Sequence, residues 1–180
     1  AYTDFIAQLS DELHGRSKLL SICTAAPSRA GQRDHGVGFL DTSAVARYAD
    51  HLRPMNYDLF WPAPNRPGIG PTSTALWARD RMERLVAEVP RHKVVMGLPT
   101  YSLDWDVAEI GRSRQIYDHE WVAAREQESG ARRAWCYQFD ASLIRYRDAE
   151  DHPHLLWVTD ARSTVSHLET VDCLDLAGVC

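Results

Sequence analysis

Apolar positions along this chain switch between two spacings, and together they predict helices and strands in turn. From Thr3 to His14 they fall at Phe5, Ile6, Leu9 and Leu13, a helical stripe that stops at Gly15. Leu19 to Ala26 is a short apolar run closed by Pro27, which predicts a buried strand. Ser28 to Gly38 mixes Gly, Ser and charge and predicts a loop. Asp41 or Thr42 caps a helix through Tyr48 and Asp50, and Leu52 to Tyr57 is the next strand. Trp61 to Pro71 contains four prolines and two glycines, which excludes regular structure. Thr72 or Ser73 caps a helix carrying Trp77, Met82, Leu85 and Val86, and Pro90 stops it. Val94 to Tyr101 is a third strand. Helix and strand alternating in this way imply a parallel sheet with right-handed crossovers. The alternation alone does not separate a barrel from an open doubly wound sheet.

The pattern changes between 106 and 160. Tyr117 to Glu128 reads as a helix, and Ala134 to Phe139, Leu143 to Arg147 and Leu155 to Val158 read as strands, a small α+β segment. Ser163 to Leu174 then restores the helix, and Leu176 to Val179 begins another strand. The organisation is therefore 1–105, alternating units; 106–160, an insertion; and 161–180, the resumed alternation.

At 180 residues and 44% hydrophobic, the chain can hold one domain with a core. A whole (β/α)-barrel takes at least about 200 residues. A net charge of -5 with no outweighing basic face excludes nucleic acid as the expected partner. Arg132-Arg133 reads as solvated surface. No apolar run approaches the roughly 18 residues of a membrane span, and no signal peptide is apparent. Cys23, Cys136, Cys173 and Cys180 form no Cys-x-x-Cys pair, which argues against zinc or a dithiol redox site; Cys23 and Cys180 are expected to behave as small buried hydrophobes. His152-Pro153-His154 invites a metal reading, but no third ligand is evident nearby, so neither a metal site nor a cofactor is expected.

The chemistry gathers at strand ends. Met55-Asn56-Tyr57-Asp58 closes one strand and Gly97-Leu98-Pro99-Thr100-Tyr101 another, at the end where barrel enzymes carry their working residues. Taken with Trp157-x-x-Asp160-x-x-Ser163 and Leu176-Ala177-Gly178-Val179, this set resembles glycoside hydrolase family 18, the chitinases and related N-acetylglucosaminidases. The resemblance spans nearly the whole chain but only the second half of the family's catalytic domain. It implies an α/β fold, the C-terminal half of a (β/α)₈ TIM barrel. Residues 1–105 run from helix 4 to strand 7, 106–160 form an α+β insertion after strand seven, and 161–180 carry helix 7 and the start of strand 8. The family's Asp-x-x-Asp-x-Asp-x-Glu, whose Glu is the general acid, does not occur here. Ala1 to Phe5 resembles the helix after that motif, so the acid is expected just upstream and the chain is expected to be a fragment.

The resemblance implies part of an enzyme that cleaves β-1,4 links at N-acetylglucosamine in chitin or peptidoglycan by substrate-assisted, retaining catalysis. The alternatives are a sugar-binding, lectin-like relative or an inactive barrel fragment. In that scheme Tyr57 bonds the substrate acetamide, Asp58 contacts a sugar hydroxyl, and Met55 lines the floor. Tyr101 shapes the cleft, Trp61 is a candidate for a leaving-group subsite and Trp105 for a wall of the groove; Trp105 reads equally well as an anchor for the insertion. Asp160 or Ser163 caps the following helix. The partner is an N-acetylglucosamine polysaccharide, with the parent protein secreted or wall-associated and this chain alone inactive. Three departures stand out: Pro54 within a strand, Ser102 where the family often has Gly, and an end at Cys180, short of the family's floor tryptophan.

Overall fold

A computed structural model describes residues 1–25, 40–63 and 68–180, and the chain divides into two compact units woven from separate stretches. One comprises Ala1–Asn56, Ala78–Leu98 and Leu168–Cys180; the other comprises Tyr57–Trp77 and Pro99–His167. The expected loop at Ser28 to Gly38 lies outside the described residues.

The first unit holds helix α1 (Tyr2–His14), strand β1 (Ser21–Ala25), the short helix α2 (Thr42–Val45) and strand β2 (His51–Met55). To these it adds most of α3 (Ala75–Val86), strand β3 (Val95–Met96), and the strand near the chain end, β9 (Gly178–Val179). All the strand pairings are parallel. β1 pairs with β2 in the register Ile22↔Leu52, bridges Leu52↔Val94 and Met55↔Gly97 join β2 to β3, and Met96 pairs with Val179. The row is thus β1-β2-β3-β9. Pro54 has no N–H to give, yet its carbonyl accepts from Gly97 N–H at 3.0 Å, so the ladder continues past it with one donor missing.

Period-2 alternation sorts this sheet into two faces. Ile22, Thr24, Leu52, Asn56, Val94 and Met96 are buried, whereas Ser21, Cys23, Arg53 and Met55 are exposed. Helix α3 covers the buried face, with Met82 Sδ 3.5 Å from Asn56 Nδ2. Leu52, Val94, Met96, Met82 and Leu85 are completely buried, each contributing about 1.5–3 kcal/mol. Asp50 ties the helix-to-strand joints together: one carboxylate oxygen accepts Leu20 N–H at 2.7 Å and meets His14 Nε2 at 2.9 Å.

The second unit is a five-stranded antiparallel sheet in the order β5-β4-β8-β7-β6. Its strands are β4 (Ser102–Asp106), β5 (Arg114–Ile116), β6 (Arg132–Cys136), β7 (Ala141–Arg147) and β8 (Pro153–Val158). Helix α4 (His119–Glu126) starts at Asp118, whose side chain accepts from Glu120 N–H and Trp121 N–H, and packs Val122 among Ile116, Ile144, Tyr146, Leu156 and Val158. On the opposite face Leu103, Trp105, Ala141, Leu143 and Trp157 pack with Phe60 and Ile69. Gly70 is required there: a Cβ on it would lie 2.5 Å from two Phe60 ring carbons. Helix α5 (Ala161–Leu174) follows β8 and runs from this unit into the first.

Several elements differ from their sequence-based expectations. The antiparallel sheet opens at Ser102 rather than at 106. The third parallel strand spans only Val95–Met96, ahead of Gly97-Leu98-Pro99. The α3 cap is Thr74, whose Oγ1 accepts Trp77 N–H at 3.2 Å, one or two residues beyond the positions expected. Asp41 caps α2 by accepting Ala44 N–H at 2.8 Å. Cys23 and Cys180 are exposed, not buried, because Ile22 and Thr24 take the covered side of β1 and Cys180 lies just past β9; all four cysteines are free thiols.

Candidate active site

Within the second unit, the residue after Tyr57 turns the chain sharply. Asp58 has φ 63°, a left-handed conformation that Asp tolerates better than most residues but that still costs about 1–3 kcal/mol. A closed ring of hydrogen bonds holds it. Asp58 N–H donates to Thr72 Oγ1 at 3.2 Å, the Thr72 hydroxyl donates to Tyr101 Oη at 2.9 Å, and the Tyr101 hydroxyl donates back to the Asp58 carboxylate. Leu59 N–H adds a bond to Thr72 O at 2.8 Å. Burial, then the neighbouring Asp58 carboxylate, raises the Tyr101 pKa far above that of a free phenol. Tyr101 therefore stays a donor, and Asp58 presents an oriented acceptor.

Two further tyrosine rings lie beside this group. Tyr57 meets Tyr101 edge-on with centroids 6.4 Å apart, and Tyr117 lies 5.5 Å from Tyr101 on a tilt of 44°. Tyr117 is 66% exposed, and its hydroxyl donates to Gln115 Oε1 at 2.6 Å. Trp61 is about as exposed as Met55; Trp105 is 1% exposed and its indole donates to Gly70 O at 2.9 Å, as a core anchor would. Met55 belongs to the first unit, on the uncovered face at the end of β2. Sequence reasoning passed over Thr72 and Tyr117. The pattern assigns Thr72 to helix capping and Tyr117 to a helix that begins two residues later. The one signal for Tyr117 was Gln115-x-Tyr117 at strand spacing.

Asp160 caps α5, accepting Ser163 N–H at 2.9 Å while Ser163 Oγ accepts Asp160 N–H at 3.0 Å. Its other oxygen accepts from Ser142 Oγ at 2.5 Å and Arg133 Nη2 at 2.6 Å. Burial pushes this carboxyl up, but the Ser142, Ser163 and Arg133 donors outweigh it and hold the group below the usual carboxylate range. Arg133 also pairs with Glu126 at 2.8 Å, so it is a fastened side chain and not loose surface charge.

The family model for glycosyl hydrolases family 18 matches residues 1–180. The uncharacterized glycosylase YvbX of Bacillus subtilis (strain 168) is 26% identical over 172 residues, covering 93% of this chain and 48% of that protein. The cortical fragment-lytic enzyme of the same organism is 25% identical over 186 residues, covering 99% of this chain and 41% of that enzyme. The chain thus spans about half the length of the curated relatives it matches. Among solved structures, a chitinase from Chromobacterium violaceum ATCC 12472 superposes with a TM-score of 0.86 at 27% identity, over 99% of this chain and 54% of that one.

Proposed function

This chain belongs to glycosyl hydrolases family 18, and on that premise we propose that it supplies the substrate-positioning side of an enzyme that cleaves β-1,4 links beside N-acetylglucosamine in chitin or peptidoglycan. The observation that carries this reading is the Asp58–Thr72–Tyr101 ring beside the Tyr57 and Tyr117 rings. It combines a carboxylate acceptor held by its own donors with aromatic faces, which suit a sugar that carries both hydroxyls and an apolar face. The parallel row β1-β2-β3-β9 is taken as strands five to eight of a (β/α)₈ barrel, and the antiparallel sheet as the insertion after strand seven. Parallel sheets are almost always covered on both faces, so an uncovered face bearing Cys23, Arg53 and Met55 supports a larger sheet in the intact protein.

In the proposed reaction the sugar's acetamido oxygen attacks its own anomeric carbon while a glutamic acid protonates the departing oxygen. The residues here do the positioning. Tyr57 donates to the acetamide carbonyl and holds it against C1, and Asp58, kept in place by Tyr101 and Thr72, accepts from a sugar hydroxyl. Tyr101 shapes the cleft, and Tyr117 and Trp61 offer stacking faces. Trp105 serves from beneath, as the anchor under Gly70. The acid string Asp-x-x-Asp-x-Asp-x-Glu is not among the 180 residues. An enzyme with this substrate acts outside the cell or at the wall, and no helix among the described residues is long and apolar enough to cross a membrane.

The test is Tyr57→Phe in the longer protein that carries this chain, assayed on chitin oligosaccharides and on peptidoglycan glycan strands. The expected loss is about 10²-fold in kcat, the size seen when one transition-state donor is removed, with KM nearly unchanged. A kcat that stays level while KM rises would assign Tyr57 to uniform binding instead. Sugar binding without turnover on either polymer would make the protein a lectin-like relative.

A further inference from the structure

On the α4 side of the antiparallel sheet, far along the strands from the tyrosine group, charged side chains gather where apolar ones are expected. Asp104 and Asp106 are 2% and 1% exposed and alternate with Leu103 and Trp105 on β4. Buried carboxylates must be matched. Asp106 Oδ1 accepts Ala108 N–H and Glu109 N–H, and its Oδ2 faces His152 Nδ1 at 3.1 Å. Asp104 accepts from the Tyr146 hydroxyl at 2.9 Å and meets His154 Nδ1 at 3.0 Å. Asp148, in the turn between β7 and β8, uses Oδ1 on Glu150 N–H and His152 N–H, which leaves Oδ2 directed inward.

One ligand atom from each of Asp106, Asp148 and His152 lies within 4.8 Å of the others. A second feature points into the same place independently. His154 is 9% exposed, and its Nε2 is buried with no hydrogen-bond partner, 3.5 Å from Asp148 Oδ2. Its Nδ1 stands 3.0 Å from Asp104 Oδ1, so the ring is held with Nε2 turned toward the Asp148 carboxylate. A carboxylate behind the far nitrogen of an imidazole is the usual second partner of a metal-bound histidine.

We propose that Asp106, Asp148 and His152, with His154 Nε2 closing in from β8, form a site for a zinc-class divalent ion. Two imidazoles and two carboxylates suit that borderline ion, and bonds of about 2.0–2.1 Å at tetrahedral angles set neighbouring ligand atoms roughly 3.3 Å apart. The gaps of 3.1 Å between His152 and Asp106 and 3.5 Å between His154 and Asp148 fall on either side of that value. The ion would clip the β7–β8 turn to the end of β4, a structural task separate from sugar chemistry. Arg112 is its competitor. The guanidinium stands 3.7 Å from Asp106 Oδ2 and 4.0 Å from Asp148 Oδ2, while its close partner is Glu150 at 2.7 Å, to which it can withdraw. The sequence hides this site because its ligands come from 106 and from 148 to 154, and the pair His152-Pro153-His154 alone offered too few.

The experiment is titration of the chelator-treated protein with Zn²⁺, and with Co²⁺ as a spectroscopic probe. One equivalent is expected to bind with a rise in Tm, and the Co²⁺ complex should show ligand-field bands of a four- or five-coordinate site with no thiolate charge-transfer band. Asp148→Asn and His152→Ala should each weaken binding at least about tenfold. Arg112→Gln should tighten it, and His92→Ala, on an exposed turn elsewhere, should leave it unchanged. Absence of stoichiometric binding overturns the proposal. So does binding that shows the thiolate band or survives both Asp148→Asn and His152→Ala, since the free cysteines would then be the ligands.

Discussion

Replacing Thr72 by Val keeps the shape of the side chain and removes only the hydroxyl that closes the Asp58 ring. Thr72 is 3% exposed, so water does not readily take the hydroxyl's place. Two bonds go: the one the hydroxyl accepts from Asp58 N–H at 3.2 Å and the one it donates to Tyr101 at 2.9 Å. Losing the acceptor of a buried backbone donor costs about 1–3 kcal/mol, and the longer of the two bonds is the one to the backbone, which favours the lower half of that range. Asp58 also sits in a conformation that needs support, so part of its strain is released as the ring opens. At this chain length each kcal/mol is about 2–4 °C in Tm. The expected drop is therefore roughly 2–8 °C for Thr72→Val, and under about 2 °C for Thr72→Ser, which keeps the hydroxyl. Thermal melts of the three proteins side by side provide the measurement. A Val variant as stable as wild type, or a Ser variant as damaged as Val, would show that the methyl group matters and the hydroxyl ring does not.

Gly70→Ala should cost about 1–3 kcal/mol by forcing a Cβ into the Phe60 ring, and Phe60→Leu should absorb most of that cost; equal penalties in both backgrounds in urea melts would disprove the contact. Asp160 has a folded pKa below its unfolded value, so its stabilisation is present above about pH 4 and is lost as pH falls through the lower folded value. Asp160→Asn should accordingly be less stable than wild type near neutrality and equal to it in strong acid, and a gap independent of pH would refute the assignment. Assayed as it stands, the 180-residue chain should not hydrolyse chitin oligosaccharides or peptidoglycan glycan, because general-acid help is typically worth about 10²–10⁴. Turnover abolished by Asp58→Asn would contradict this.

The parallel strands were legible because each was a short apolar run between helical stripes, and Ile22, Leu52 and Met96 lie on the covered face. Asp58 and Tyr101 could be paired in advance as polar residues closing two such runs. Thr72 could not, since its hydroxyl acts across 14 and 29 residues and a threonine ahead of a helix reads first as a cap. Strand β4 was missed because Asp104 and Asp106 alternate with Leu103 and Trp105 as a half-exposed strand would. Only tertiary partners such as Tyr146 and His154 let those acids lie inside. The exposure of Cys23 and Cys180 escaped notice for the opposite reason: an apolar run does not say which of its faces is covered.

The weaving of two units from one chain also bears on the order in which the protein can be made. β3 ends at Met96, and its parallel neighbour β9 begins at Gly178, roughly 80 residues later. At about 5–20 residues per second, a ribosome delivers that neighbour some 4–16 s after β3. During that interval the nascent β3 has β2 on one side and no β9 on the other, while the whole of the antiparallel sheet is being synthesised. The second unit's 99–167 stretch can close on its own hairpins in that time, whereas the first unit must hold an open edge until β9 emerges. Slow codons between 167 and 178 would lengthen that exposure, and a chaperone that shields strand edges would act in this window.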